Sequence, residues 1–589
     1  MSATKNLTTI AIVGGGPAAL FMYKRLVESA IQNVEVHIFE KKDRLGAGMP
    51  YSVEGACDEH ITNVSANEIP LIHTPMTDWI AEAPKSLQEH YGINPGNFND
   101  YKVFPRLFFG AYLTQQFEAL IKFGKHVGLK TTVHLNTPVQ DISDDEISGK
   151  VKLHLPDAKQ LIADRLIICT GHQWPKKFEE KVPGWFDSPY PPQKLAKSVN
   201  FPVAIKGSAL TAIDAVRTLA RSNGHFEKTA DHRLNYVLNK ESEGFKMVLH
   251  SLDGLMPAVR FHLEDTHLSQ GEMIGEEEGW KIKEANNGFI PLDLIYQRNF
   301  LQPLRAQNPV FYETVKDMTI EEFVEEMMRR REKLDGFTLF EAEYKEAEKS
   351  IKRQESVAWK EMLATLSYAV NYPAKHLSAE DMLRLKKVLM PLISIVIAFV
   401  PQTSCREMLA LHKAGVLDLV PVDKESRVDP GEKGATYYHT DENGTAIQTA
   451  YNMYVDATGQ PVFTLEDFPF KSLVEGGTVS AAYINFKDDA AGALEMELGN
   501  KLVKKNAAGH FILKVPGIQI NDQFQVLNAA GAYNERIYIM AVPHIGGLNP
   551  DYSGLDFCET ASARIIKSIK PGVDALALAA ADDIEPKVA

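Results

Sequence analysis

Gly14-Gly15-Gly16-Pro17-Ala18-Ala19 stands between a short β-branched run and an apolar segment of helical period. Glycines at such a point turn a strand tightly into a helix, whose first N–H groups and positive partial charge can meet a diphosphate. Gly14 suits the turn and Gly16 admits close backbone approach to a pyrophosphate. Ala19, in place of a third glycine, is small enough for tight helix–strand packing. Glu40 ends the next strand, where a carboxylate binds ribose hydroxyls. Strand, turn, helix and acid are in register, so a dinucleotide site is expected at Gly14, Gly16, Pro17, Ala18, Ala19 and Glu40. The competing reading is a purely structural glycine turn.

A second glycine-rich turn, Lys41-Lys42-Asp43-Arg44-Leu45-Gly46-Ala47-Gly48-Met49-Pro50-Tyr51, follows directly and adds Lys41 and Gly48 to the candidate site. An acidic strand end followed by such a turn resembles the FAD-binding domains of flavin monooxygenases and related reductases, which favours FAD over NAD here. His60-Ile61-Thr62-Asn63-Val64 and Val103-Phe104-Pro105-Arg106-Leu107-Phe108-Phe109-Gly110 strengthen the likeness. With the second unit below, they look like the FAD/NAD(P)-binding-protein family of bacterial flavoproteins, related to flavin-dependent, N-hydroxylating monooxygenases. The resemblance implies that Asn63 and Arg106 lie at the flavin or its phosphates. Read alone, Asn63 is a turn former and Arg106 a surface ion-pair partner.

Ile168-Cys169-Thr170-Gly171-His172 is similar to the strand-end "ATG" motif that closes the FAD domain in such proteins, which would set Thr170 and Gly171 near the cofactor. Val455-Asp456-Ala457-Thr458-Gly459 repeats it at the expected return from a second domain, adding Thr458 and Gly459. His172 titrates near neutrality and is a candidate acid or base; a hydrogen-bonded loop histidine is the plainer reading. Cys169 reads as a small buried hydrophobe.

Val203-Ala204-Ile205-Lys206-Gly207-Ser208-Ala209-Leu210-Thr211 resembles the family's nicotinamide-nucleotide turn, with Gly207, Ser208 and Thr211 as its candidate contacts. Ala209 stands where the second glycine is expected, and its methyl crowds a pyrophosphate. In Ser251-Leu252-Asp253-Gly254, Leu252 occupies the position of an Arg that would pair with a 2′-phosphate. Arg260 could compensate, or Asp253 favour NADH, so NADPH and NADH both stay open. By the same resemblance Gly546, Gly547 and Asn549 sit at the isoalloxazine, near a helix N-terminus that stabilises reduced flavin. His544 is a catalytic candidate or a packed loop residue. Arg406 is a carboxylate clamp for substrate or an ion-pair partner of Glu407 or of another helix.

Thr8 to Val13, Val34 to Phe39, Ala163 to Cys169, Phe201 to Ile205, Tyr451 to Val455 and Arg536 to Met540 read as strands. Ala18 to Ser29, Leu210 to Arg221 and a segment from about Ser553 read as helices, and a proline-rich link follows Gly171. A chain of 589 residues exceeds one hydrophobic core. The expected fold is α/β, with two Rossmann-like dinucleotide-binding domains, the FAD domain discontinuous. Residues 1–200 and 455–573 form the FAD domain. Residues 201–454 form the NAD(P)-type domain with a helical insertion at about 313–390, and 574–589 form a flexible tail.

The formal net charge of -14, without a basic block, argues against nucleic acid or an anionic membrane as partner. Cys57, Cys169, Cys405 and Cys558 form no CxxC pair, so neither a zinc site nor the redox pair of disulfide reductases is expected. No signal peptide is expected before the first strand, and the apolar run from Leu392 to Val400 is too short to span a bilayer. A cytoplasmic enzyme is expected, its oligomeric state unspecified.

Together these readings predict an FAD-dependent oxidoreductase. The leading form is an NAD(P)H-using, single-component monooxygenase that takes molecular oxygen and a small-molecule substrate. N-hydroxylation is preferred because Phe186-Asp187-Ser188-Pro189-Tyr190-Pro191 lacks the Gly and His of the Baeyer–Villiger fingerprint. A reductase or dehydrogenase without oxygen activation, and a non-catalytic flavin- or nucleotide-sensing protein, are the alternatives.

Overall fold

β-branched runs closed by glycine become the inner strands of two parallel sheets, as burial on both faces requires. The computed structural model describes residues 7–230, 233–263, 273–550 and 554–582, with side chains described as far as residue 570. In chain order the framework is β1 (Thr8–Val13), α1 (Pro17–Glu28), β2 (Val34–Phe39), α2 (Arg106–His126), β3 (Lys130–His134) and β4 (Arg165–Ile168). There follow β5 (Pro202–Lys206), α3 (Leu210–Asn223), β6 (Lys246–Ser251), α4 (Gln402–Lys413), β7 (Leu417–Pro421) and β8 (Met453–Asp456). β9 (Tyr533–Ile539) and α5 (Gly554–Asp582) complete it.

The first sheet has six strands in the order Gln525–Leu527, β9, β4, β1, β2, β3, parallel except for its first member. Strand order reverses at β1, where α/β sheets open a crevice at their carboxyl ends. Ile10, Ala11 and Ile12 are fully buried there. The second sheet runs β7, β6, β5, β8 and Trp185–Phe186, parallel throughout.

Three expectations shift. β8 pairs with β5, so the anticipated return to the first domain at residue 455 falls inside a strand of the second sheet. Trp185–Phe186 pairs with β8 in turn, so the second sheet already takes chain from before residue 200. The helical region runs from Glu276 to Val396, beyond the expected 313–390. Gly288, Pro291 and Pro309 bound the short helices of its first part, and a π turn at Gln297–Leu301 breaks the helical period before Pro303, so no long amphipathic signature is left. Nor is this region an appendage. Leu363 and Met382 share a core with Ile10 and Ile539 of the first sheet, while Phe337 and Phe340 share one with Val203 and Leu249 of the second.

The backbone of the expected flexible tail is helical through Asp582, and residues 583–589 lie outside the described residues, as do 551–553 at the expected helix start. Among the described residues no helix is long and apolar enough to cross a membrane.

Candidate functional site

The carboxyl end of β1 is a cradle in which side chains have no room. Gly14 has φ +103°, and a Cβ there would lie 2.5 Å from the Cys169 carbonyl oxygen; its N–H donates to the Phe39 oxygen at 2.8 Å. Gly15 donates its N–H to the Glu40 carboxylate at 2.6 Å, and Lys42 donates to the other carboxylate oxygen at 2.9 Å. A Cβ on Gly15 would meet the Leu45 side chain at 2.4 Å. Gly15, absent from the candidate residues, is therefore the glycine that locks the acid onto the turn. Gly16 faces Gly48: a Cβ on the first would come within 3.3 Å of the second's Cα, so the two glycine turns close on each other. No side chain caps α1, and no acid lies in its first turn. The amides of Ala18 and Ala19 thus point, behind Pro17, into the crevice as free donors. Lys41 is exposed beside it.

β4 and β9 end beside β1, since Cys169 donates to Val13 at 2.7 Å and Met540 to Ile168 at 2.8 Å. At this edge, apart from the ring nitrogens of His544 packed between phenylalanines, three buried polar atoms have no hydrogen-bond partner: Thr170 Oγ1, Asn549 Nδ2 and Asp556 Oδ1. Burial, reinforced by the Glu68 and Glu559 carboxylates, pushes Asp556 up to about 7. Unpartnered buried polar atoms call for a missing partner. Open helix amides, a glycine cradle, a fixed acid and these orphaned groups fit a dinucleotide bearing a polar ring system, as FAD does.

Other candidates at this edge are structural. A Cβ on Gly547 would lie 2.1 Å from the Pro516 oxygen, so this glycine fits a neighbouring strand, whereas Gly546 has more room. His544 is fully buried between Phe463 and Phe468, and neither ring nitrogen has a partner. Burial pulls it down to about 4. It is a packed loop residue. His172 is exposed and bonds through Nδ1 to Gln460 at 2.9 Å. Gln460 donates to the Gln173 carbonyl at 2.8 Å and Trp174 to that of Gly459 at 3.1 Å, so His172 belongs to the place where the chain crosses between sheets twice.

Arg106 is neither a surface residue nor free for a phosphate. Its guanidinium grips Asp214 of α3 at 2.6 and 3.2 Å, Nε donates to Ile61 at 3.2 Å, and the Tyr190 hydroxyl donates to the same carboxylate at 2.8 Å. Burial opposes charge on Asp214, but Arg106 and then His60 hold it below the usual carboxylate range. Asn63 enters through its backbone: its carbonyl accepts from Arg260, which also binds Ser65 and the Glu68 carboxylate. Arg260 is buried and fully engaged, so it cannot compensate for Leu252 at a 2′-phosphate. Arg406 is exposed and does not pair with Glu407, whose carboxylate receives Arg217 at 2.7 Å and Arg221 at 2.8 Å.

The second unit copies the first. Gly207 has φ +106°, and its Cβ would lie 2.9 Å from the Ala457 oxygen, as Gly14 lies against Cys169. Thr458 and Gly459 therefore match Thr170 and Gly171 within the second unit and do not mark a return to the first. Ala209 has φ −80° and ψ −168° where Gly16 has −81° and −164°, so the backbone is unchanged and only a methyl is added. The Ser208 hydroxyl binds inward, to Ser251 at 3.1 Å and Leu255 at 2.8 Å. Thr211 lies across from Gly459, and Asp253 accepts from Ser251 at 2.7 Å and Leu255 at 3.2 Å.

Comparison with known proteins bears on this geometry. Residues 11–173 match the family model described as FAD-NAD(P)-binding, and residues 276–397 match the YdhS-like middle domain. An uncharacterized protein, YdhS, of Escherichia coli (strain K12) is 25% identical over 472 residues, covering 79% of this chain and 86% of that protein. Matching solved structures include the bacillithiol disulfide reductase Bdr (YpdA) from Staphylococcus aureus, 12% identical, TM-score 0.42, covering 96% of this chain and 98% of that one. Lysine monooxygenase NbtG from Nocardia farcinica is 13% identical, TM-score 0.40, covering 95% and 100%.

The class so defined is a protein with an FAD-NAD(P)-binding domain over residues 11–173. Within that class the chain carries the YdhS-like middle domain, which is the helical region between its two sheets.

Proposed function

We propose that this protein is an NAD(P)H-using, single-component FAD monooxygenase acting on a small molecule, with N-hydroxylation of an amine as its preferred reaction. When bound, FAD supplies hydride acceptance and reactivity toward oxygen. The chain's part is to orient, to exclude water and to hold protons. Its glycine cradle and Glu40 position the dinucleotide. Asp556, raised to about 7, can hold or release a proton at neutral pH.

The observation that carries the reading is the cover over the cofactor edge. The middle domain reaches it through Lys375 at Asn549, 3.4 Å away, and through Tyr368 at Thr560, 2.7 Å away. Asn549 is 1% exposed. Oxygen transfer needs such a dry site, because water diverts the activated oxygen to peroxide. Arg106 and Asp214 hold the second dinucleotide unit against the same half, which suits delivery of a hydride there.

A second reading has its own support. Gly171 and His172 are exposed, so one flank of the edge meets solvent and an external electron acceptor could be served without oxygen transfer. Steady-state NAD(P)H oxidation with a panel of small amines separates the two. The proposal predicts amine-stimulated turnover, oxygen uptake and a hydroxylated amine; a reductase gives acceptor-dependent turnover without oxygenated product.

A further inference from the structure

One short turn of the middle domain, Pro373–His376, is inserted into the candidate cofactor edge. The Lys375 side chain is 5% exposed, with Nζ 3.4 Å from Asn549 Oδ1 and 3.8 Å from Asp522 Oδ1. The rings of Tyr372 and Phe524 each lie 5.6 Å from Nζ. His376 Nε2 is 3.0 Å from both Asp522 oxygens, so that carboxylate is shared. Arg564 of α5 covers Tyr372 at 4.1 Å and lies 3.8 Å from Glu276.

An ammonium is a donor only, whereas a primary amide has a donor end and an acceptor end. Lys375 must therefore face the carbonyl of Asn549. That turns the amide nitrogen away, and Asn549 Nδ2 is buried without a partner. The lysine fixes which way the amide points.

We propose that Lys375 is a positioning residue of the cofactor site: it locks the Asn549 amide so that its two N–H donors face the edge and receive a carbonyl-type acceptor, as the ring oxygens of FAD provide. This rests on the FAD reading of the first site. It gives the middle domain a part in cofactor binding that its sequence does not announce.

The lock has a pH range. Burial pulls Lys375 down to about 8; Asp522 opposes this and Arg564 adds to it. Burial raises Tyr372 well above its usual value, while His376 and Lys375 hold Asp522 low against its burial, so neither changes charge near pH 8. Once Lys375 loses its proton it can also accept, and the amide is free to turn.

The test is FAD titration of the full-length apoprotein at pH 7 and pH 9, by flavin fluorescence and by the visible spectrum of the bound flavin. Wild type should bind about tenfold more weakly at pH 9, with a shifted spectrum, as expected for loss of one hydrogen bond. Lys375→Arg, cationic at both pH values, should keep only the pH dependence that ionisation of Asp556 near 7 contributes, and so lose less affinity at pH 9 than wild type. Lys375→Met should match Asn549→Ala, weak at both pH values. Should Lys375→Met fail to fold, the pH dependence of wild type against Lys375→Arg still decides. If Lys375→Met lowers the unfolding temperature yet keeps wild-type affinity and spectrum, the lysine only supports the fold and the proposal is wrong. Equal pH dependence in wild type and Lys375→Arg also overturns it. Wild type that takes no FAD would remove the reading of the first site, and this proposal with it.

Discussion

Arg106 and Asp214 stand 108 positions apart in the chain and meet as a two-pronged ion pair, 2.6 Å on one side and 3.2 Å on the other. The arginine opens α2 of the first unit and the aspartate lies one turn into α3 of the second, so the pair sets how the two dinucleotide folds face each other. Removing one partner of a buried pair leaves an uncompensated charge and costs about 3–5 kcal/mol. Asp214→Ala should therefore lower unfolding free energy in urea by that amount. The joint change Arg106→Met, Asp214→Leu should recover most of it. Because the folded pKa of Asp214 is depressed, this contribution is present above its unfolded value of 3.8 and fades only as pH falls through the lower folded value.

Gly16 and Ala209 share a backbone conformation but not surroundings. Gly16→Ala pushes a methyl to 3.3 Å from Gly48 and should open the two turns, weakening FAD about tenfold or more. Ala209→Gly removes an exposed methyl from the second turn and should lower the KM for the nicotinamide nucleotide several-fold, with little net change in stability, because Gly caps a helix better than Ala while loosening the unfolded chain. Steady-state kinetics with FAD-loaded protein measures the second effect and flavin titration the first.

Leu252 is 66% exposed at the end of β6, and Arg260 is occupied elsewhere, so neither answers a 2′-phosphate there. NADPH should have no advantage over NADH in wild type. Leu252→Arg should shift the kcat/KM ratio toward NADPH by about tenfold, through a charge-assisted pair, with little change in stability.

His544 makes stability depend on pH. Its pKa is 6.5 in the unfolded chain and about 4 in the folded protein, so the unfolded state binds the extra proton between those values. Stability must fall as pH drops from 6.5 toward 4, by about 3 kcal/mol from this residue. His250, also near 4, acts in the same window. His544→Phe should flatten the acid side of the curve between pH 6.5 and 4, measured by thermal or urea unfolding at stepped pH.

What the sequence revealed was set by reach along the chain. β1, α1, β2 and Glu40 lie within forty positions, and the turn needs glycine for reasons internal to it. The second unit was legible likewise, as were the late loop and the strands at both ends. Residues whose role comes from a distant partner were not. Nothing beside Arg106 points to Asp214, and nothing beside Arg260 points to Glu68. Nor does anything beside Lys375 point to Asn549. The pairing of β8 with β5 was hidden because the same short motif closes both units. The early helices of the middle domain were hidden because their prolines interrupt the period.

The central claim is that the free amides at the start of α1 hold a diphosphate while Glu40 holds the adjoining ribose. Titration of apoprotein with FAD, for wild type, Glu40→Gln and Gly16→Val, tests it most directly. Glutamine keeps an acceptor for the Gly15 N–H and gives up only the exposed bond from Lys42, so the fold should survive its substitution. The account predicts one FAD per chain in wild type, affinity at least about tenfold weaker in Glu40→Gln, and none measurable in Gly16→Val. Wild type that binds no FAD, or folded variants that bind it as well as wild type, would contradict it.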